Sequence, residues 1–162
     1  MRRWSVRMAV FCLIASLALV GSAIAKKGSG GDKPLFASMS GKNEIDTATG
    51  HRRAGDADGT GSFSAIIHKS TNELCFGITV QGIEPPTAAH IHKAKRNKNG
   101  PIVITLTAPS AGDPGTSSDC VSADPDLLKA IQKHPARYYA NVHTSDFPGG
   151  AVRGQLFKRG PR

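Results

Sequence analysis

Short runs in which apolar and polar residues alternate fill most of residues 36–157. Successive side chains of a β-strand point to opposite faces of a sheet, so each run predicts a strand with one buried face. Gly, Pro, Asp and Asn separate the runs, as at Asp58-Gly59 and Asn99-Gly100, and predict turns. We therefore predict an all-β fold, an antiparallel Greek-key-like sandwich or barrel. The clearest runs place on a single face Phe63, Ala65 and Ile67, then Phe76, Ile78 and Val80, and then Ile102, Ile104 and Leu106.

One short helix is predicted among the strands. Asp124 can cap its first turn, and Pro125 is compatible with that turn because a helix start leaves its N–H groups unpaired. Pro135 then ends the helix, since proline cannot continue it. The apolar stripe of this helix consists of Leu127, Leu128 and Ile131.

The chain begins with the features of a secretion signal. Arg2, Arg3 and Arg7 precede an apolar run, and Ala23 and Ala25 supply the small residues that favour cleavage. The protein is therefore expected to be secreted or periplasmic, without a transmembrane segment after cleavage. We predict a signal peptide at residues 1–25, a flexible linker at 26–35, the β domain at 36–157 and a basic tail at 158–162.

Two cysteines remain after the signal peptide is removed, because Cys12 leaves with it. Exported proteins fold in oxidising compartments, so Cys75 and Cys120 are expected to form a disulfide. Restricting the unfolded chain in this way is worth about 4 kcal/mol in the loop-entropy description.

The chain carries an excess of positive charge, +9 over its whole length and +6 once the three signal-peptide arginines are removed. Such charge favours anionic partners. Aromatic residues do not alternate with the cations, so specific nucleic-acid binding is not expected. The predicted contact is a basic loop, residues 93–98, although a solvated surface loop is the alternative. Its charged residues are Lys93, Lys95, Arg96 and Lys98.

Three of the predicted strands carry polar residues on the face turned away from the core. Alternation places the two histidines of the first strand on one side, and the same rule applies to the later pairs. If these strands are neighbours, the histidines converge. The residues are His90 and His92, then Asn141 and His143, then Arg153 and Gln155.

The three converging histidines have two interpretations. Neutral imidazoles at positions i and i+2 of a strand form a chelate, and His143 would complete a three-nitrogen set that suits copper or zinc. Alternatively, the side chains form a hydrogen-bonded cluster that joins the strands. Three further histidines lack such neighbours in the sequence and are expected on the surface, namely His51, His68 and His134.

Five segments carry a distinctive combination of motifs. They are CFGITVQGIEPPTAAHIH at 75–92, NGPIV at 99–103, YANVHT at 139–144, FPGG at 147–150 and VRGQL at 152–156. Together they resemble the CHRD domain, named after the animal protein chordin, over roughly Phe36 to Leu156. The resemblance implies a binding module: the animal protein antagonises growth factors by binding them, and bacterial members are mostly exported single domains.

A weaker similarity concerns the copper side of copper/zinc superoxide dismutase, where a His-x-His strand pairs with a later Val-His strand. It implies His90, His92 and His143 as copper ligands, with Arg153 as an electropositive guide for an anion. Only His134 lies between His92 and His143. The bridging histidine and the zinc-binding loop of that family therefore lack counterparts.

Two functional hypotheses follow. The first is an exported binding module that contacts a protein or an anionic component of the envelope or matrix. The second is a copper-binding or zinc-binding protein with a three-histidine site. No nucleophile elbow, phosphate loop or zinc-protease helix motif occurs in the sequence, so catalysis by those routes is not expected.

Overall fold

The structure is a computed structural model that describes residues 34–158, so the predicted signal peptide and nearly all of the predicted linker lie outside the described residues. Nine strands and one α-helix make up the described part. The helix α1 is Pro125–Lys133. The strands are β1 (Leu35–Ser40), β2 (Thr60–His68), β3 (Glu73–Gln81), β4 (Pro86–Lys93), β5 (Ile102–Leu106), β6 (Gly115–Ser122), β7 (Tyr138–Thr144), β8 (Val152–Gln155) and β9 (Phe157–Lys158).

The strands form one antiparallel sheet in the order β5-β4-β7-β8-β1-β2-β3-β6, and β9 pairs with β1. The two edges of this sheet approach each other. Ser117 Oγ in β6 donates to the carbonyl of Thr107, just after β5, at 2.8 Å, and Thr107 Oγ1 donates to Asp119 Oδ2 at 2.8 Å. The sheet is therefore a nearly closed barrel, which confirms the prediction of an all-β antiparallel fold with one helix.

The barrel interior holds the apolar face of each strand. Phe63 and Phe76 stack inside with ring centroids 6.3 Å apart, and both are buried as the alternation predicts. Outside the core, Cys75 and Cys120 lie opposite each other on β3 and β6. They form the predicted disulfide.

The prediction that Ile102 shares the buried face of its strand is wrong. Ile102 is 52% exposed, whereas Ile104 and Leu106 of the same strand are buried. Ile104 pairs with Ile91, but Ile102 pairs with His92, so β5 has one extra residue at this point. Such a bulge reverses the face on which the following side chains lie. Ile102 therefore shares the outer face with His92.

The helix matches its prediction. Asp124 Oδ1 accepts a hydrogen bond from the Leu127 N–H at 2.9 Å, and Leu128 and Ile131 are buried against the core. Within residues 34–158, no helix has the length and apolar character needed to cross a membrane.

The domain boundaries differ by one residue from those predicted. Leu35, assigned to the linker, is fully buried in β1 and pairs with Lys158, assigned to the tail. The pairing of β1 with β9 accounts for both displaced boundaries, because β9 adds a short strand after the last alternating run of the sequence.

Candidate metal centre

The three predicted histidines converge on the outer face of the barrel. His90 and His92 come from β4, His143 comes from β7, and these two strands are direct neighbours. The sheet register places Ala88 opposite His143 and His90 opposite Asn141. One ring nitrogen from each histidine lies within 4.8 Å of the other two. Alternation along β4 and pairing with β7 thus bring three imidazoles to one point.

Two of the three imidazoles are oriented by backbone carbonyls. His92 Nδ1 lies 2.9 Å from the Gly100 carbonyl oxygen, and His143 Nδ1 lies 2.9 Å from that of Pro148. A carbonyl oxygen only accepts, so each Nδ1 carries the proton and each neutral ring keeps its lone pair on Nε2. This is the arrangement by which proteins orient histidines that bind metal ions.

Glycine is required where the chain returns to His92. A Cβ added at Gly100 would overlap the carbonyl oxygen of Lys93. The close approach of these two backbone segments holds the Gly100 carbonyl against the imidazole of His92. The predicted turn at Asn99-Gly100 is wrong in position: the chain reverses at Arg96-Asn97, where Asn97 has φ of +62° and the Lys98 N–H donates to the Lys95 carbonyl at 3.2 Å. Gly100 instead lies on the returning segment and supplies the carbonyl that orients His92.

The imidazole of His90 faces that of His143 directly. His90 Nδ1 lies 3.1 Å from His143 Nε2. Since His143 Nε2 bears a lone pair, the His90 ring must present its Nδ1 proton to it. The two nitrogens would repel each other if neither a proton nor a cation lay between them.

Burial leaves one coordinating atom unsatisfied. His92 is 8% exposed, and its Nε2 is buried without a well-formed hydrogen bond, as is Asn141 Oδ1, although the Asn141 side chain interacts with this imidazole. An unpaired buried polar atom costs roughly 1–3 kcal/mol. A metal ion held by the three nitrogens would supply the missing partner of His92, so these residues fit a metal ion chemically.

The histidines are also held neutral. Burial, together with the neighbouring His143 and His92 rings, lowers the pKa of His90 to about 4. Burial likewise lowers the pKa of His92 and of His143. None of the three imidazoles is therefore cationic at neutral pH, whereas a doubly protonated imidazole could not bind a metal ion.

The His92 ring, the Tyr139 ring and the Arg153 guanidinium form a stack on the outer face of the barrel. The His92 and Tyr139 rings are parallel within 5° with centroids 4.7 Å apart. The Arg153 guanidinium carbon lies 3.4 Å from the centre of the same Tyr139 ring. Because β7 lies between β4 and β8, Tyr139 stands between His92 and Arg153. This packing fixes the plane of the His92 ring.

Arg153 and Gln155 connect the barrel to the basic loop and its flank. Arg153 is 2% exposed, and it donates to the Asn99 Oδ1 at 2.9 Å and to the Lys98 carbonyl at 2.6 Å. Gln155 Nε2 donates to the carbonyl of Ala94 at 2.9 Å. The loop is thus folded back over β8 and held there. Arg153 does not lie at an open mouth where it could guide an anion to the histidines.

The basic side chains of the loop point outward. Lys93, Lys95, Arg96 and Lys98 are all exposed. The loop follows directly after His92, and it is bounded on its other side by the Gly100 carbonyl that orients this ring. The predicted contact surface therefore adjoins the histidine cluster at His92.

Comparison with protein families agrees with the motifs that these side chains occupy. The family model of the CHRD domain matches residues 35–156. The chain belongs to the CHRD domain family. The match runs from the start of β1 to the residue after β8, so it includes all three histidines, Arg153 and Gln155. Comparison with curated proteins and with solved structures gives no match.

Glu44 is the site residue of this CHRD domain that the sequence did not indicate. It is 2% exposed, it neighbours Asn141 and Arg153, and burial raises its pKa to about 7. Its carboxylate lies against Gly150, in the loop whose Pro148 carbonyl orients His143. Glu44 precedes no alternating run and stands between a turn and a loop, so no periodicity marks it as buried.

Proposed function

We propose that this CHRD domain binds one copper ion through His90, His92 and His143. The observation that carries the proposal is the convergence of three ring nitrogens within 4.8 Å, two of them on rings oriented by carbonyls. Three imidazoles without a thiolate suit copper and zinc, and the general affinity order of divalent ions favours Cu²⁺ over Zn²⁺. The hydrogen-bonded cluster is the alternative that the experiment must separate.

Isothermal calorimetry on the protein without a histidine tag tests the copper proposal. We expect one Cu²⁺ per chain, weaker binding of Zn²⁺, and no stoichiometric uptake by the double variant His90→Gln/His143→Gln. The matched control is His51→Gln/His134→Gln, which removes two exposed histidines and should bind like the wild type. Equal copper uptake by the wild type and by His90→Gln/His143→Gln would show that the three histidines do not bind copper and that the cluster has only a structural role. Circular dichroism confirms that each variant is folded.

The proposal is copper binding without a dismutase reaction. Arg153 is committed to Asn99, Lys98 and Tyr139, so the electrostatic guide that the superoxide dismutase similarity implies is not supported by its position. The histidine cluster in the described residues contains three members. Binding, rather than turnover, is therefore the activity to measure.

We propose as a second function that the basic loop contacts an anionic partner. Its backbone is held by Arg153 and Gln155, while its four cations are exposed and residues 86–107 contain no acid. A fixed loop of one charge sign attracts anions with little ordering cost. The disulfide and the secretion signal in the sequence support action outside the cytoplasm.

Retention on an anionic resin as a function of salt tests this contact. Replacing the four loop cations with alanine should lower the salt concentration needed for elution and flatten its salt dependence. The control replaces Lys42, Arg52, Arg53 and Lys129, four exposed cations elsewhere, with alanine. If both variants elute alike, net charge rather than the loop determines retention.

A further inference from the structure

A small cavity lies where the basic loop folds back over β8. Its volume is about 140 Å³, enough for part of a small organic molecule. Its lining comes from the basic loop, from β1 and the turn that follows it, and from β8 and β9. The lining includes Asn43, Arg96, Asn97, Arg153, Gln155 and Phe157.

The charge of this cavity suits an anion. Among the described residues, its lining includes Arg96 and Arg153 and no acidic residue. Arg153 is buried and already bound to Asn99, Lys98 and the Tyr139 ring, so it contributes positive charge to the wall of the cavity. Arg96 is exposed and reaches the cavity from the loop. The exposed Arg96 guanidinium can bind a carboxylate through paired hydrogen bonds, and the positive charge of the buried Arg153 adds to the attraction.

The remaining polar groups are suited to hydroxyl groups. Asn43 Nδ2 donates to the Arg153 carbonyl at 3.2 Å, and the two N–H groups of Gln155 Nε2 are shared among the carbonyls of Ala94, Ala136 and Tyr138. The amide oxygens of Asn43 and Gln155 are therefore the atoms left to accept hydrogen bonds from a ligand. An anion without O–H groups, such as sulfate, could not use them as acceptors.

Phe157 adds an apolar surface to the same cavity. It is 47% exposed, and its ring packs against Phe36 with centroids 6.0 Å apart. Packing against Phe36 fixes one side of the ring, and the exposed part can cover the apolar face of a ligand. The cavity thus combines an exposed arginine for a carboxylate, acceptors for hydroxyls and an aromatic ring for the C–H face of a sugar ring.

We propose that this cavity binds a carboxylated sugar, a ring that carries hydroxyl groups and one carboxylate. The proposal rests on the second proposed function, because it names the chemical class of anion that the basic loop would contact. It is independent of the histidines. The sugar unit could be free or part of an acidic polysaccharide, and the carboxylate and ring are common to both.

Titration with sodium glucuronate, followed by ¹H–¹⁵N NMR of the full domain, tests the cavity. Glucose, which lacks the carboxylate, and acetate, which lacks the ring, are the matched ligands. We expect saturable shifts of the Asn43 and Asn97 side-chain amides and of the Arg96 Nε–H with glucuronate, and at least tenfold weaker binding of either matched ligand. Acetate binding as tightly as glucuronate would overturn the sugar assignment.

Two neighbouring variants separate the cavity from general charge. Arg96→Ala removes a lining cation, and Lys95→Ala removes an exposed cation that does not line the cavity. We expect Arg96→Ala to weaken glucuronate binding about tenfold and Lys95→Ala to leave it nearly unchanged. Equal losses would overturn the proposal. If the four-alanine variant loses retention on the anionic resin while glucuronate causes no shifts, the cavity proposal fails and the loop contact stands.

Titration with an oligosaccharide distinguishes a free sugar from a sugar unit of an acidic polysaccharide. A short oligomer of glucuronate should bind more tightly than the monomer if the cavity takes one unit of a polymer, and as tightly as the monomer if it takes a free sugar. Both results support a carboxylated sugar as ligand. The absence of any saturable shift with monomer and oligomer alike would overturn it.

Discussion

His90 Nδ1 and His143 Nε2 lie 3.1 Å apart, and the position between them can be taken by a proton or by a metal ion but not by both. The Pro148 carbonyl fixes the His143 proton on Nδ1, so the proton between the rings belongs to His90. A metal ion at this position must displace that proton. The neutral His90 ring can then carry its one N–H proton on Nε2, and this partly exposed ring can donate it to water.

The first prediction is a change of tautomer at His90. Long-range ¹H–¹⁵N spectra of the imidazoles should show the His90 proton on Nδ1 in the metal-free protein and on Nε2 after addition of Zn²⁺, which is diamagnetic. His92 and His143 should keep their Nδ1 protons throughout, because both are held by carbonyls. A His90 ring that keeps its Nδ1 proton at saturating Zn²⁺ would remove it from the ligand set.

The second prediction concerns Arg153 as the residue that holds the basic loop. Arg153→Lys cannot reproduce the split donation to Asn99 and Lys98 or the planar stacking on Tyr139. We expect a loss of about 2–3 kcal/mol in the free energy of unfolding, measured by urea denaturation. Hydrogen exchange should accelerate at residues 94–99.

The control for this experiment is Arg137→Lys, at an exposed arginine, which should change the free energy of unfolding by less than about 0.5 kcal/mol. Exchange rates at residues 94–99 that match the wild type in Arg153→Lys would show that the loop is held by other contacts.

The third prediction compares two adjacent glycines in the FPGG segment. Gly150 has φ of +136°, and a Cβ there would overlap the carboxylate of Glu44, whereas a Cβ at Gly149 would meet nothing within 4 Å. Gly150→Ala should lower the free energy of unfolding by about 2 kcal/mol or more, since it adds backbone strain to overlap with a buried group. Gly149→Ala should be nearly neutral. Similar melting temperatures for the two variants would contradict the assigned backbone geometry.

Much of the barrel could be predicted from the sequence, because alternation identifies a strand and its buried face from local residues alone. The same rule placed His90 and His92 on one face. Their convergence with His143 depends on β4 lying beside β7, which is a long-range pairing. Ile102 shows the limit of the rule, since one extra residue in β5 turns it outward.

The supporting residues of the site were harder to predict. Arg153 and Gln155 were placed on the polar face, but their partners lie in a loop more than fifty residues away in the chain. No local pattern shows that this loop folds back over β8. Glu44 gives no sequence signal either, because its burial depends on the segment around Gly150 that covers it.

The last prediction is a pH dependence of stability that originates at Glu44. Its pKa in the folded protein is about 7, raised by burial above the ordinary 4.5 and held from rising further by Arg153. The folded protein therefore binds a proton more tightly than the unfolded chain, so the stability from this group is fully present below pH 4.5 and lost as pH rises through 7. The loss amounts to about 3 kcal/mol.

Glu44→Gln isolates this contribution, because glutamine is neutral at every pH and has nearly the same shape. The lowered pKa values of the three histidines act in the opposite direction, since the unfolded chain binds protons below pH 6.5 that the folded protein does not. The informative quantity is therefore the difference in the free energy of unfolding between Glu44→Gln and the wild type at each pH. In urea denaturation from pH 4.5 to 8, that difference should shift in favour of the variant by about 3 kcal/mol. Glu84→Gln, at an exposed carboxyl, should run parallel to the wild type, and a parallel curve for Glu44→Gln would exclude Glu44 as the source.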